Sequence, residues 1–158
     1  MSKSIKGIVN ELMVDIFNDI LTIEQTALKS GKLNDLSVTE IHTIETIGMY
    51  IPRTMSEVAA DLGITVGTLT TAINNLVKKG YVERKRDDKD RRVVKITLTK
   101  KGKLAYRVHE KFHLDMVKET IKGLSEEEEK SLACALEKLN EFFKCKYNIN
   151  NDNKREKE

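Results

Sequence analysis

From Ile5 to about Leu28, apolar residues recur at intervals of three and four: Ile5, Ile8, Val9, Leu12, Ile16, Ile20, Ile23 and Ala27, with Met13, Phe17 and Leu21 widening the stripe. This spacing predicts an amphipathic helix, and a stripe so long and wide calls for more than one packing partner. The segment KSGKLND, with Gly31, interrupts it. Ser37 and Glu40 then form a capping box, with Leu36 and Ile41 placed as a hydrophobic staple, and predict a second helix to about Gly48. Pro52, the only proline, marks the turn that follows. A second capping box, Thr54 with Glu57, opens a short helix stopped by Gly63, and Thr65 caps the next one.

After Gly80 the period changes. YVERKR alternates, DDKD reads as a turn, and RRVVKITLT alternates again with Val94, Ile96 and Leu98 on one face, which predicts a short antiparallel hairpin. A long helical pattern follows from Leu104 to about Gly123. Ser125 with Glu128 caps a last helix bearing Leu132, Leu136, Leu139 and Phe143. Residues 147–158 form a polar tail expected to be disordered. The chain contains no internal repeat.

The helix opened by Thr65 has an unusual outer face. Leu69, Ile73, Leu76 and Val77 share one side, while Gly67, Thr68, Thr71, Asn74 and Asn75 occupy the other. Thr, Asn and Gly are poor interior helix formers, and a merely solvated face would use Glu, Lys, Gln or Ala. A helix entering the major groove needs such a slim face, with hydroxyls, amides and methyls to touch base edges. Packing alone could also sustain these residues, but the following segment favours DNA. Between Lys78 and Lys103 stand twelve Lys and Arg against four Asp and Glu. Two short helices joined by a tight turn and followed by a basic hairpin predict a winged helix-turn-helix.

Composition narrows the class. The 158 residues, 39% hydrophobic and 34% charged, suffice for one compact domain or two small lobes sharing a core. No apolar run approaches the roughly 20 residues of a membrane span, and the first twenty residues mix acids and bases as no signal peptide does. A cytoplasmic protein without membrane contact is expected. Cys134 and Cys145 have neither a zinc spacing nor a disulfide framework; Cys134 is expected in the core and Cys145 as a bystander thiol. The net charge of +3 is too small to argue for nucleic acid, so the local basic segment carries that inference.

The stretch TMSEVAADLGITVGTLTTAINNLVKKGYVERKRDDKDRRVVKITLTKKG resembles the MarR family of bacterial winged-helix regulators, through GYVER, then DRR at the wing, then LTKKG opening a long helix. The resemblance covers residues 5 to 146. It implies a mainly α fold with a small β-hairpin wing, in which 1–48 and 100–146 form a helical dimerisation lobe and 49–99 the DNA-binding lobe. It also implies a homodimer on a pseudo-palindromic operator in double-stranded DNA. The long apolar first and last two helices, too extended to bury against a small hairpin domain, are what a shared interface requires. IHTIETIG, ITVGTLTTAINNL and RVHEKFHLDMV are similar to the FabT-type repressors of fatty-acid synthesis, which respond to long-chain acyl groups on acyl carrier protein by binding operator more strongly. Many MarR proteins have Arg where Thr71 stands, so a different operator is implied.

Expected DNA contacts are Thr65, Gly67, Thr68, Thr71, Asn74, Asn75 and Lys78 from the helix, and Arg86, Asp90, Arg91 and Arg92 from the wing. An arginine at a hairpin tip can enter a narrow A·T-rich minor groove while an acid two residues earlier holds its guanidinium; the resemblance assigns these roles to Arg92 and Asp90.

His42, His109 and His113 are the three histidines, and the last two, four apart, share a helix face. With Glu24 they can wall an effector pocket and grip the polar end of an acyl ligand, form a structural hydrogen-bond network, or ligate zinc, as zinc-responsive MarR members do with a similar set. The acyl slot is expected between the first helix, at Leu12, Ile16 and Ile20, and the long fifth helix. No cofactor is expected; an acyl effector is, with zinc as the alternative. A metallohydrolase built on the histidines would lack an evident general base, and no phosphate loop or nucleophile motif is present, so an enzyme is not expected. An architectural DNA-coating protein would need a broader basic surface.

Overall fold

The computed structural model describes residues 4–147. Helix α1 (Ile5–Ser30) starts at Ser4, whose hydroxyl accepts the Gly7 N–H at 3.2 Å. Helix α2 (Val38–Ile47) carries the complete Ser37–Glu40 capping box. Strand β1 (Arg53–Thr54) leads into α3 (Met55–Leu62), opened by the Thr54–Glu57 box. Gly63, at φ 66°, closes α3 in the left-handed region, and α4 (Val66–Lys78) follows almost at once. Strands β2 (Val82–Arg86) and β3 (Val94–Leu98) form the hairpin, and α5 (Lys100–Ile121) and α6 (Glu126–Tyr147) follow.

The sheet has three antiparallel strands in the order β1-β3-β2, where the sequence predicts only two. Arg53 pairs with Ile96, and Val82 through Arg86 pair with Leu98 through Val94. Helix α5 begins at Lys100, four residues before its first apolar stripe residue, because Thr99 caps it by accepting the Gly102 N–H at 3.1 Å.

One core runs from the end of α1 through α2, α3, α4 and the sheet to the start of α5, with Ile41, Ile44, Ile47, Leu69, Ile73, Leu76 and Ile96 fully buried. Val77, expected on that face, is 37% exposed instead. The apolar stripes of α1 and α6 find no such cover: Ile8, Leu12, Ile16 and Phe17, like Leu136 and Phe142, are exposed, and α6 buries no residue. Cys134 lies on this uncovered helix and is exposed, as is Cys145, so Cys134 is not a core residue of the single chain. No helix among the described residues is long and apolar enough to cross a membrane. The expected tail falls, from residue 148 on, outside the described residues.

Candidate nucleic-acid interface and histidine cluster

Helix α4 presents its small polar residues outward. Thr65 caps it by accepting the Thr68 N–H at 3.1 Å, and the two hydroxyls meet at 2.9 Å. Gly67, Thr68, Thr71, Asn74, Asn75 and Lys78 are all exposed, while Leu69, Ile73 and Leu76 anchor the opposite side. Thr71, Asn75 and Thr68 also line an open groove whose other wall is Ser37, Thr39 and Glu40 at the start of α2. Asn74 accepts a hydrogen bond at 2.7 Å from Arg84 on β2, a contact that sequence spacing does not reveal.

The wing between β2 and β3 is held by Asp87. Its carboxylate accepts the N–H groups of Lys89 and Asp90 at 2.8 and 3.2 Å and pairs with Lys95; these bonds, Lys95 foremost, hold its pKa down at about 2. Asp90 in turn accepts from the Arg92 backbone N–H at 3.0 Å and from Nε at 3.2 Å. The guanidinium is thereby fixed at its base while the Arg92 side chain stays 91% exposed. Arg86 and Arg91 are exposed beside it. The wing therefore presents a positive tip whose leading arginine is already oriented.

A second polar site is built where α1, α2 and α5 meet. Glu24 of α1 is buried, and its Oε1 is approached by three imidazole nitrogens: His42 Nε2 of α2 at 3.2 Å, and His109 and His113 Nε2 of α5 at 3.3 and 2.9 Å. The His109 and His113 Nε2 atoms are themselves 3.0 Å apart. Glu45, one turn beyond His42, comes to 3.5 Å from His109; its position three residues after His42 was the available sequence signal. Burial pushes the Glu45 carboxyl up and, with the neighbouring His113, drives His109 down to about 4, against the pull of Glu24. Glu24, His109 and His113 form one set of potential metal ligands and His42, Glu45 and His109 another, each with its ligand atoms within 4.8 Å of one another.

Next to this cluster is a cavity of about 120 Å³, bounded by Ala27, Leu28, Gly31 and Leu33 on one side and by Val108, His109 and Phe112 on the other. It lies at the C-terminal end of α1. Leu12, Ile16 and Ile20, expected to line the slot, are not among its walls: Leu12 and Ile16 are exposed and Ile20 half-buried further up the helix. Of the expected effector residues, the structure brings together Glu24, His42, His109 and His113 and leaves the three apolar ones apart.

Residues 36–94, which span α2, the helix-turn-helix and the rise into β3, match the MarR family model. Over 86% of this chain and 95% of its own, FabT of Streptococcus pneumoniae, solved in complex with DNA, is 45% identical with a TM-score of 0.82. The chain belongs to the MarR family. The regulator BilQ of Clostridium symbiosum is 34% identical over 84 residues, 52% of this MarR-family chain and 58% of BilQ. The chain spans about three-fifths of the length of the first curated relatives it matches. A mutant of S. aureus MepR, 22% identical over 85% of this chain and 97% of its own with a TM-score of 0.72, shares the fold. BilQ is an HTH-type transcriptional regulator.

Proposed function

We propose that this chain is a DNA-binding transcriptional repressor of fatty-acid-synthesis genes, a homodimer on a pseudo-palindromic operator, whose grip is strengthened by long-chain acyl groups on acyl carrier protein. The observation that carries the reading is the 45% identity with FabT across most of both chains. The geometry supports it. Helix α4 has the slim polar face that a major groove admits, and Arg92 stands ready for the adjoining minor groove. A second copy would cover the exposed apolar stripes of α1 and α6.

The acyl group has to extend beyond the cavity. At about 120 Å³ it holds roughly four methylenes, taking each as close to the ~30 Å³ share of a water molecule. A longer chain would continue past Glu24 and the histidines and along α1 over Ile20, Ile16 and Leu12. Titration of an operator duplex with the protein, with and without hexadecanoyl acyl carrier protein, tests this. A coupling on the order of 1–3 kcal/mol, or roughly 5- to 150-fold tighter binding, is expected. Unchanged affinity would contradict the effector, and absence of operator binding would contradict the repressor.

A zinc-responsive regulator is the second reading, favoured by one observation. Tetrahedral zinc with ligands at about 2.0–2.1 Å places neighbouring ligand atoms roughly 3.3 Å apart. The imidazole nitrogens stand 2.9–3.3 Å from Glu24 Oε1. Glu24, His109 and His113 would hold the ion, with His42, 3.2 Å from Glu24 Oε1, swinging in as a fourth ligand, and it would clip α1, α2 and α5 together. Equilibrium dialysis against zinc, followed by operator titration, separates this reading from the first.

A further inference from the structure

We infer that Arg84 sets the base preference of the recognition helix by holding the amide of Asn74, so that the pair reads a guanine rather than an adenine. The inference rests on the DNA-binding reading above. Arg84 stands on β2 and Asn74 on α4, ten residues apart in sequence, and Arg84 Nη2 donates to Asn74 Oδ1 at 2.7 Å with both residues exposed. A guanidinium has donors and no acceptor, so the amide must turn its oxygen to Arg84 and its NH2 away. The contact therefore fixes which end of the amide is free.

An unconstrained Asn reads adenine through both ends at once, its oxygen accepting from N6 and its nitrogen donating to N7. Here one lone pair of the oxygen is occupied, and a full positive charge lies beside the other. An adenine amino group approaching that oxygen brings its own partial positive charge against the guanidinium. Guanine offers acceptors only on this edge, O6 and N7, and these suit the Asn74 NH2 that Arg84 turns outward. The strand that begins the wing is thus a reader's brace for the helix. Arg84 is a positioning residue, and Asn74 the group that meets the base.

Selection of operator from a random duplex library, by the parent protein and by Arg84→Ala, Asn74→Ala and the double variant, tests this. Every selected pool is then read for base preference at each position. The parent is expected to favour guanine over adenine at one base pair per half-site by on the order of tenfold. Arg84→Ala should remove or reverse that preference at that base pair alone. In the Asn74→Ala background the Arg84 substitution should change nothing further there, which a mere loss of positive charge would not produce. A uniform loss of affinity with the parental preference intact would overturn the inference, as would a parental preference for adenine at that position. Enrichment of no sequence by the parent would instead overturn the DNA-binding reading and this inference with it.

Discussion

At the scale of single residues, the DNA-binding reading divides the work between two exposed groups. Arg92 is a pre-oriented charge on the wing, whereas Thr71 is a small neutral group on the face of α4. Arg92→Ala should weaken binding across A·T-rich flanked sites and reduce the salt slope by about 1, and Thr71→Ala should change base preference with little effect on the slope. Filter-binding titrations over a salt series measure both, and the same altered preference in both variants would sink this division. The buried His109 makes a different kind of statement. Its pKa of about 4 in the folded, metal-free chain lies below the ordinary 6.5, so the folded state favours neutral imidazole. The stability this confers is complete above pH 6.5, declines as the pH falls toward 4 while only the unfolded chain takes the proton, and amounts to at most about 3 kcal/mol. Urea melts of the metal-free protein between pH 7 and 4 should show that decline, and His109→Gln should flatten it.

At the scale of elements, the joint between the wing and α5 is built of close contacts. Thr99 donates to the Gly80 carbonyl at 2.6 Å through its hydroxyl and to the Tyr81 carbonyl at 3.0 Å through its backbone. Lys101 donates to the Lys79 carbonyl at 2.9 Å and lies 4.0 Å over the Tyr81 ring, whose hydroxyl donates to Asp35 at 2.7 Å. A Cβ on Gly102 would stand 2.0 Å from the Tyr81 carbonyl oxygen. Gly102→Ala should therefore destabilise the protein by about 3 kcal/mol, because backbone rather than a mobile side-chain end must give way. A thermal melt of the variant unchanged from the parent would show that the joint yields freely. The elements themselves were legible because each leaves a local trace: apolar period in α1, α2 and α4, and capping boxes at Ser37, Thr54 and Ser125 that all form. Strand β1 was not, since two residues cannot display alternation and its pairing with Ile96 and Lys95 is wholly tertiary. The same holds for the site. The i, i+4 spacing marked His109 and His113 as neighbours, but which turn of α1 meets them depends on packing, so the cavity lies further along α1 than Leu12, Ile16 and Ile20, between Ala27–Leu28 and α5. Cys134 sits on an apolar stripe that reads as core, yet among the described residues no element covers α6.

At the scale of the whole molecule, α5 connects the two places where chemistry is concentrated. Its first turn is bolted to the end of α4 and the turn into β2 through Thr99 and Lys101, and two turns later His109 meets Glu24 of α1 and Glu45 of α2. A group bound at the histidines would press on the helix that carries the wing and so bias the spacing of two recognition helices in a dimer, provided it binds one spacing better than the other. His109→Ala should then abolish the change in operator affinity caused by hexadecanoyl acyl carrier protein while leaving a folded protein that still binds DNA. A scaffolding role makes the opposite demand. Removing the imidazole would leave the buried Glu24 short of one partner and cost about 1–3 kcal/mol of stability, with the remaining folded protein responding to ligand as before. Thermal melts and operator titrations on the variant beside the parent, each with and without the acyl carrier, separate the two in one experiment. A variant that melts far lower yet keeps its full response would reduce His42, His109 and His113 to scaffold, and the wing would then take its signal from elsewhere on α5.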